Sequence, residues 1–385
     1  MKRRQFVKGA ALAAAGAGAL ALSACGKNEE EKATEESATS TPAAPAVAKG
    51  IRELKMVTTW PKNFPGLGTG AQRLADTITS LSDGTLSVKL YAAGELVPAM
   101  ESFSAVSGGG ADMYHGAEYY WQGKHKAFNF FTAVPFGLTA NEMDAWLNFG
   151  GGQKLWDELS AGFNIKAFAA GNTGVQMGGW FNKEINTVED YKGLKIRMPG
   201  LGGEVLKRIG ASAQTLPGGE IYPSLESGAI DATEWVGPWN DLALGFYKVT
   251  KFYYYPGFHE PGSTLSCGMN KGVWDSLTPT QQTIVSTACQ AENNRMFSEY
   301  NAKNGDALDT LVNKHNVELR RQSDDILRAI GKAADGVLAD VGATDDISAR
   351  VYKNFMDFRT KAMGWTSLSE TAYTAARALD KKLGV

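Results

Sequence analysis

The chain has 385 residues with 39 basic and 41 acidic side chains, and 43% of its residues are hydrophobic. This length exceeds what one hydrophobic core usually serves, so we expect two lobes. The slightly acidic balance gives no support for nucleic-acid binding.

The first 25 residues have the features of an export signal. RRQFVK at 3–8 matches the twin-arginine pattern, and the Ala/Gly-rich stretch after it is too short to span a bilayer. LSAC at 22–25 resembles a lipobox, which would make Cys25 the lipidated first residue of the mature chain. Cleavage near Ala24 with a soluble product is the alternative. Removing this segment takes the net charge from −2 to −6, because it carries four basic and no acidic side chains.

Residues 26–50 contain almost no large apolar side chain, so they are expected to form a flexible linker. Beyond Cys25, the cysteines are Cys267 and Cys289, which export would place in an oxidising compartment. We expect two buried free thiols, and the sequence leaves a disulfide between them open.

Alternating strand-like and helix-like segments predict an α/β protein. A strand at 54–60, a helix at 70–81 and a strand at 86–91 form one βαβ unit. Further strands are predicted at 165–171, 175–182, 194–199 and 230–235, with a helix at 220–228.

The chain is expected to cross between the lobes near 172–176 and again near 258–265. The first lobe is therefore discontinuous, with residues 51–172 and 265–344, and residues 173–264 form the second lobe. Residues 345–385 are predicted to be C-terminal helices and a possible dimerisation element.

Two capping-box patterns predict helix starts near the C-terminus. Thr278 with Pro279 and Gln281 should open a long helix, and SLSE at 367–370 should open the last one. An apolar stripe precedes that last helix at spacings near three and four. Its members are Ile347, Val351, Phe355, Phe358 and Trp365.

Arg197 ends the predicted strand at 194–199, directly before a Pro-Gly turn. A guanidinium there would project at the mouth between the lobes, and its planar fork suits a carboxylate. An ordinary surface arginine is the alternative.

Four residues near the predicted crossings offer only oxygen donors. They are Gln176, Glu234, Glu260 and, through its backbone carbonyl, Trp235. Oxygen ligands without Cys or His suit hard cations such as Na⁺ or Ca²⁺. The alternative is that the two acids make ordinary hydrogen bonds to helix N-termini.

Aromatic residues are abundant around the predicted cleft, and some should line a pocket for a small acid. They are Phe64, Tyr119, Tyr120, Trp121, Trp235 and Trp239. Tyr120 and Asn172 are further candidates for hydrogen bonds to the ligand.

GLGTGA at 66–71 fits a dinucleotide-binding fingerprint in form, but the connection before it is too long for that turn. A loop at the cleft rim is the alternative. The four histidines show no metal-protease or paired spacing, and no nucleophile motif is present, so no enzymatic activity is predicted.

Five segments together resemble the solute-binding proteins of tripartite ATP-independent periplasmic (TRAP) transporters. They are EIYPSLESGAIDATEWVGPWND at 220–241, LKMVTTW at 54–60, VQMGGWFN at 175–182, LKIRMPG at 194–200 and LSCGMNKGVWDSLTPTQQ at 265–282. The resemblance covers residues 51–385 and is strongest to the branch that binds 2-oxo or 2-hydroxy monocarboxylates with a metal ion.

The resemblance implies a two-lobed periplasmic binding fold in which Arg197 clamps the ligand carboxylate. It also implies that Gln176, Glu234, Trp235 and Glu260 hold a cation that bridges to that carboxylate. Expected partners are a membrane permease and, through an exchanged C-terminal helix, a second copy of the chain. A nucleotide-dependent oxidoreductase exported by the twin-arginine route and a receptor feeding a signalling partner are the competing functions.

Overall fold

A computed structural model describes residues 50–379, which fold around two β-sheets. The export signal, Cys25 and most of the predicted linker lie outside these residues. The first sheet has the order β2-β1-β3-β10-β4, and the second has the order β11-β9-β5-β8-β6-β7. The strands are β1 Arg52–Thr58, β2 Leu86–Tyr91, β3 Met113–Gly116, β4 Ile165–Asn172, β5 Gly179–Phe181, β6 Lys195–Arg197, β7 Ser212–Gln214, β8 Ala232–Thr233, β9 Phe252–Tyr255, β10 Thr264–Asn270 and β11 Glu318–Arg321.

Helices surround both sheets and dominate the C-terminal part of the chain. They are α1 Leu67–Leu81, α2 Ser102–Ser107, α3 Ala140–Phe149, α4 Gly152–Ala161, α5 Gly200–Arg208, α6 Gly218–Glu226, α7 Pro238–Leu244, α8 Lys271–Asp275, α9 Pro279–Asp309, α10 Asp324–Gly342, α11 Asp346–Leu368 and α12 Glu370–Arg377. Within the described part of the chain, none of these helices combines the length and apolar character that a membrane span needs.

The first lobe is built on the five-stranded sheet. β1 pairs in parallel with β2 and β3, whereas β10 runs antiparallel between β3 and β4. The predicted βαβ unit is confirmed by β1, α1 and β2. All seven residues of β10 are buried, and the free thiols of Cys267 and Cys289 are buried in this lobe.

The second lobe is built on the six-stranded sheet, whose strands are shorter than predicted. The strand predicted at 175–182 is reduced to β5, and the one predicted at 230–235 is reduced to β8. Both strands are short because neighbouring residues have other roles. The residues before β5 connect the lobes, and the residues after β8 form part of the site described below.

The chain passes between the sheets through 173–178 and 256–263, which we call the crossing segments. They hydrogen-bond to each other: Gln176 N donates to Glu260 O at 3.1 Å, and Gly257 N donates to Gln176 O at 3.0 Å. Thr173 N also donates to Ser263 O at 3.1 Å. The two connections therefore form one paired hinge.

The chain crosses between the lobes a third time, before β11. The predicted division did not include this crossing, because it left residues 265–344 in the first lobe. β11 pairs in parallel with β9 at the edge of the second sheet. α9 explains the difference, because its 31 residues span about 46 Å and contact β4 of the first lobe and α7 of the second.

The capping box at Thr278 is confirmed, with both reciprocal hydrogen bonds to Gln281. At 367–370 the last helix begins at Glu370 as predicted, but the predicted capping-box hydrogen bonds do not form. α11 continues to Leu368, and Ser369 joins it to α12 without a side-chain cap.

The apolar stripe of α11 is largely covered by its own chain. Val351 and Phe355 are buried, and Phe355 meets the rings of Phe130 and Trp146 at 5.2 and 5.1 Å. The surplus expected from the sequence is therefore confined to the end of the stripe, where Trp365 is 71% exposed.

Candidate functional site

A small, partly open cavity lies between the lobes, beside the crossing segments, and its volume is only about 10 Å³. The first lobe lines it with Trp60, Leu67, Tyr119, Tyr120 and Leu265. The second lobe and the crossing segments line it with Thr173, Gln176, Trp235, Val236 and Ser263. This space has room for about one water molecule, so the surrounding side chains must move before an organic ligand can enter.

Arg197 ends β6 and is only 1% exposed, so it lies in the interior and not at the predicted mouth of the cleft. Its guanidinium forms an ion pair with the carboxylate of Glu234 and donates to Glu234 O at 3.0 Å. Its Nη2 lies 3.4 Å from Tyr120 Oη, and its Cζ lies 4.9 Å from the centre of the Trp235 ring. The guanidinium thus contacts Tyr120 and Trp235, which both line the cavity.

Two buried carboxylates and one imidazole form a compact cluster behind the cavity. Donor atoms of Glu234, His259 and Glu260 all lie within 4.8 Å of one another. His259 Nε2 is 3.2 Å from the Glu234 oxygen that does not face Arg197. The pKa of Glu260 is raised to about 7, because burial penalises its charge and the Glu234 carboxylate repels it.

Gln176 joins this cluster from the first crossing segment. Its Nε2 donates to Glu260 Oε2 at 2.8 Å and to Thr173 Oγ1 at 3.1 Å. Its Oε1 is buried without a hydrogen-bond partner. A buried acceptor left unpaired costs free energy, and a cation would satisfy it and relieve the repulsion between the two carboxylates.

The loop that carries Glu234 and Trp235 is fixed by Asp241 at the start of α7. Asp241 Oδ1 accepts from Val236 N at 3.3 Å, and its Oδ2 accepts from Trp180 Nε1 at 2.9 Å and Tyr253 Oη at 2.6 Å. Burial raises the pKa of Asp241 to about 6, against the lowering effect of those hydrogen bonds. The Trp235 carbonyl is therefore held on a rigid loop.

Most of the site residues predicted from the sequence meet here. Gln176, Glu234 and Glu260 form one cluster, Trp235 lines the cavity, and Tyr120 lies between the cavity and Arg197. Asn172 is different. Its amide donates to Thr264 Oγ1 at 3.1 Å and accepts from Gly174 N at 2.9 Å, so it ties the end of β4 to the hinge.

Sequence reasoning missed His259, Thr173 and Asp241. His259 was set aside because no second histidine stands at metal-ligand spacing. The signal that could have found it is its place directly before Glu260 in a predicted crossing segment. Asp241 carries no such local signal, since its partners come from β5, β9 and the loop after β8.

The predicted aromatic cluster divides between cavity and core. Tyr119 lines the cavity, and Phe64 supports it by meeting the Trp235 ring edge-on at 6.1 Å. Trp121 instead belongs to the first-lobe core, and Trp239 contacts Tyr300 at 5.2 Å on the far side of the loop.

The glycines of GLGTGA at 66–71 serve packing. An added Cβ at Gly66, whose φ is +71°, would lie 2.7 Å from Tyr300 Oη, and one at Gly70 would lie 2.3 Å from Met296 Cε. At Gly68 it would lie 2.6 Å from the Pro61 carbonyl oxygen. Protein atoms thus occupy the space that a dinucleotide phosphate would need.

Comparison with known proteins agrees with this geometry. Residues 56–345 match the family described as bacterial extracellular solute-binding protein, family 7. The chain is 40% identical to the monocarboxylate 2-oxoacid-binding periplasmic protein of Nostoc sp. over 373 residues, which cover 97% of this chain and 98% of that protein.

Two crystal structures of TRAP solute-binding proteins are similar over most of their length. The protein of Pseudoalteromonas atlantica, with bound sodium and pyruvate, is 40% identical with a TM-score of 0.82, covering 84% of this chain and 99% of that one. The protein of Bordetella bronchiseptica, a mixed-occupancy dimer with calcium and picolinate, is 34% identical with a TM-score of 0.83, covering 86% and 98%.

Proposed function

The chain belongs to family 7 of the bacterial extracellular solute-binding proteins, and we propose that it is the substrate-binding subunit of a TRAP transporter. It captures a small 2-oxo or 2-hydroxy monocarboxylate together with Na⁺ or Ca²⁺ between its two lobes. The ligand is then delivered to the membrane permease.

The observation that carries this proposal is the unpaired oxygen of Gln176 beside two buried carboxylates and a buried guanidinium. These groups together fit an anion and a cation bound side by side. Pyruvate and picolinate, the ligands of the two similar structures, share a carboxylate with a lone-pair donor on the adjacent carbon, which is a chelating arrangement.

Each residue has a distinct role in this proposal. Gln176, Glu234, Glu260 and the Trp235 carbonyl would hold the cation, which would supply positive charge to Glu260 and to Glu234 once Arg197 turns to the ligand. Arg197, now paired with Glu234, would turn its fork to the ligand carboxylate. Tyr120 Oη, beside the guanidinium, would hydrogen-bond the same ligand.

The role is capture without chemical conversion. The buried acids here face a guanidinium, an amide, the His259 imidazole and each other. Glu234, His259 and Glu260 are absent from the lining of the cavity, which suits ion binding better than proton transfer to a substrate. We therefore propose a receptor and not an enzyme.

Location and assembly complete the proposal. The twin-arginine pattern and the lipobox at 22–25 support export of the folded protein and anchoring of the mature chain at Cys25. The exposed Trp365 supports a homodimer that uses the C-terminal helices, and the similar Bordetella protein is described as a dimer.

Calorimetry with chelator-dialysed protein in sodium-free buffer tests the function. We expect weak binding of pyruvate without added cation and strong binding after Ca²⁺ or Na⁺ is supplied, with one metal per chain by elemental analysis. Pyruvate binding that is unchanged by dialysis, with no stoichiometric metal, would contradict the bridging cation. Failure to bind any 2-oxo or 2-hydroxy acid would contradict the function itself.

A further inference from the structure

The polar groups proposed for the carboxylate end of the ligand lie mainly in the second lobe and the crossing segments, and Tyr120 of the first lobe joins them. Arg197, Gln176 and the carboxylate cluster lie in the second lobe or the crossing segments. The first lobe contributes the apolar wall of Trp60, Leu67 and Leu265. A 2-oxo acid whose carboxylate end meets Arg197 and the cation must therefore direct its carbon chain toward this wall.

Leu67 is the part of the wall that comes from a helix start. It is the first residue of α1 and is 1% exposed. Its neighbours Gly66 and Gly68 bring the backbone so close to Tyr300 and the Pro61 carbonyl that a Cβ would clash at either position. The helix start is therefore held in place, and Leu67 has no room to retreat from a longer ligand.

Trp60 is fixed in a different way, because its Nε1 donates to His115 Nδ1 at 2.8 Å. Shortening Trp60 would break that buried hydrogen bond, whereas shortening Leu67 removes only carbon atoms. Leu67 and Leu265 are thus the wall residues whose size can be changed without disturbing a polar side chain, and of these two Leu67 stands on the closely packed helix start.

We propose that Leu67 sets the upper limit on the chain length of the 2-oxo acid that this site accepts. This inference rests on the proposed function, and it assigns the GLGTGA segment the role of holding the size-selective side chain. Changing leucine to alanine removes three carbon atoms, and 4-methyl-2-oxopentanoate has three more carbon atoms than pyruvate. The variant cavity should accept that ligand with its branched end in the vacated space.

Calorimetry in saturating Ca²⁺ with pyruvate, 2-oxobutanoate and 4-methyl-2-oxopentanoate tests the proposal. Wild type should lose affinity as the chain lengthens. Leu67→Ala should raise the affinity for 4-methyl-2-oxopentanoate relative to pyruvate at least about tenfold, since one methylene in an apolar pocket discriminates about 10–200-fold. Leu67→Val should shift the preference toward 2-oxobutanoate.

Leu74→Ala is the matched control, because Leu74 is fully buried on the same helix in a core cluster away from the cavity. It should leave the ligand ratios unchanged. If Leu67→Ala does not fold by circular dichroism, the milder Leu67→Val decides. Folded Leu67 variants with wild-type ratios, or a wild type that binds all three acids equally, would overturn the proposal. A wild type that binds none of them would instead overturn the proposed function.

Discussion

Arg197 is the residue whose removal should affect ligand binding most directly. Its positive charge is buried and paired with Glu234, so Arg197→Ala removes the ligand's partner and leaves a carboxylate unpaired. We expect binding of a 2-oxo acid to weaken by about 2–5 kcal/mol, as for truncation of other desolvated charge pairs. Calorimetry in saturating Ca²⁺ measures this loss.

Arg197→Lys is the control for charge without the planar fork. It should recover part of the affinity but not all of it, because an ammonium cannot bind a carboxylate bidentately. Unchanged affinity in a folded Arg197→Ala protein would remove this residue from the site.

Glu118, buried in the first lobe, makes stability depend on pH. Burial raises its pKa to about 7, although Tyr114 Oη donates to it at 2.6 Å. Between about pH 4.5 and pH 7 the folded chain keeps a proton that the unfolded chain releases, so stability falls as pH rises through this window. Glu118→Gln should remove this dependence, which is on the order of 3 kcal/mol.

Urea unfolding of wild type and Glu118→Gln at pH 5 and pH 8, without ligand or cation, checks the sign. The variant should gain stability relative to wild type at the higher pH. Glu260 titrates in both proteins, so its effect cancels in the comparison. If the free energy of unfolding differs between the two proteins by the same amount at pH 5 and pH 8, Glu118 is not the source of the pH dependence.

Some residues of the site could be predicted from the sequence, because a local pattern or the family resemblance indicated them. The local pattern alone leaves a surface arginine at 197 and ordinary hydrogen-bonded acids at 234 and 260 as alternatives. The resemblance to TRAP solute-binding proteins is what groups Arg197, Glu234 and Glu260 in one site. Asp241 could not be found in this way, because it acts through hydrogen bonds from Trp180, Tyr253 and Val236 that only the tertiary structure assembles.

Among the elements, those with strong local signals were predicted well. α9 begins at its capping box, and β2 covers the predicted residues. β5 is shorter than its apolar run because the residues before it pair with the other crossing segment instead of the sheet. β11 was missed because its four residues, ELRR, alternate too briefly to indicate a strand.

Several large apolar side chains are exposed at the end of α11 and on α12. Trp365 is 71% exposed, Leu368 is 79% exposed and Tyr373 is 67% exposed. If these helices form the dimer, changing Trp365 and Leu368 together to alanine should weaken association by at least about 2 kcal/mol, as at other aromatic interface positions. Light scattering at about 10⁻⁵ M, where a stable interface is saturated, compares the two proteins.

Ile51→Ala is the control for loss of a large exposed side chain on another element, since Ile51 is 75% exposed directly before β1. This variant should have the same oligomeric state by light scattering as wild type. A truncation after residue 342 is less informative, because it would also remove Val351 and Phe355 from the core. A monomeric wild type at this concentration would exclude the dimer.

At the scale of the whole molecule, the two lobes contribute different parts of the site. Glu234 and Trp235 follow β8 in the second sheet, and Gln176 and Glu260 lie in the paired crossing segments. The proposed cation ligands therefore need no residue of the first lobe. Tyr120, which faces the guanidinium of Arg197, belongs to the first lobe.

This division predicts that cation binding does not require closure, whereas ligand binding does. A ligand can shift the population toward the closed state only through contacts made in that state, and Tyr120 and the apolar wall supply such contacts. Small-angle X-ray scattering should give the same radius of gyration with and without Ca²⁺, and a smaller one when pyruvate is added. Tyr120→Phe should weaken pyruvate binding but leave Ca²⁺ affinity unchanged, whereas Glu260→Gln should weaken both. Compaction by Ca²⁺ alone, or a loss of Ca²⁺ affinity in Tyr120→Phe, would show that the first lobe contributes to the cation site.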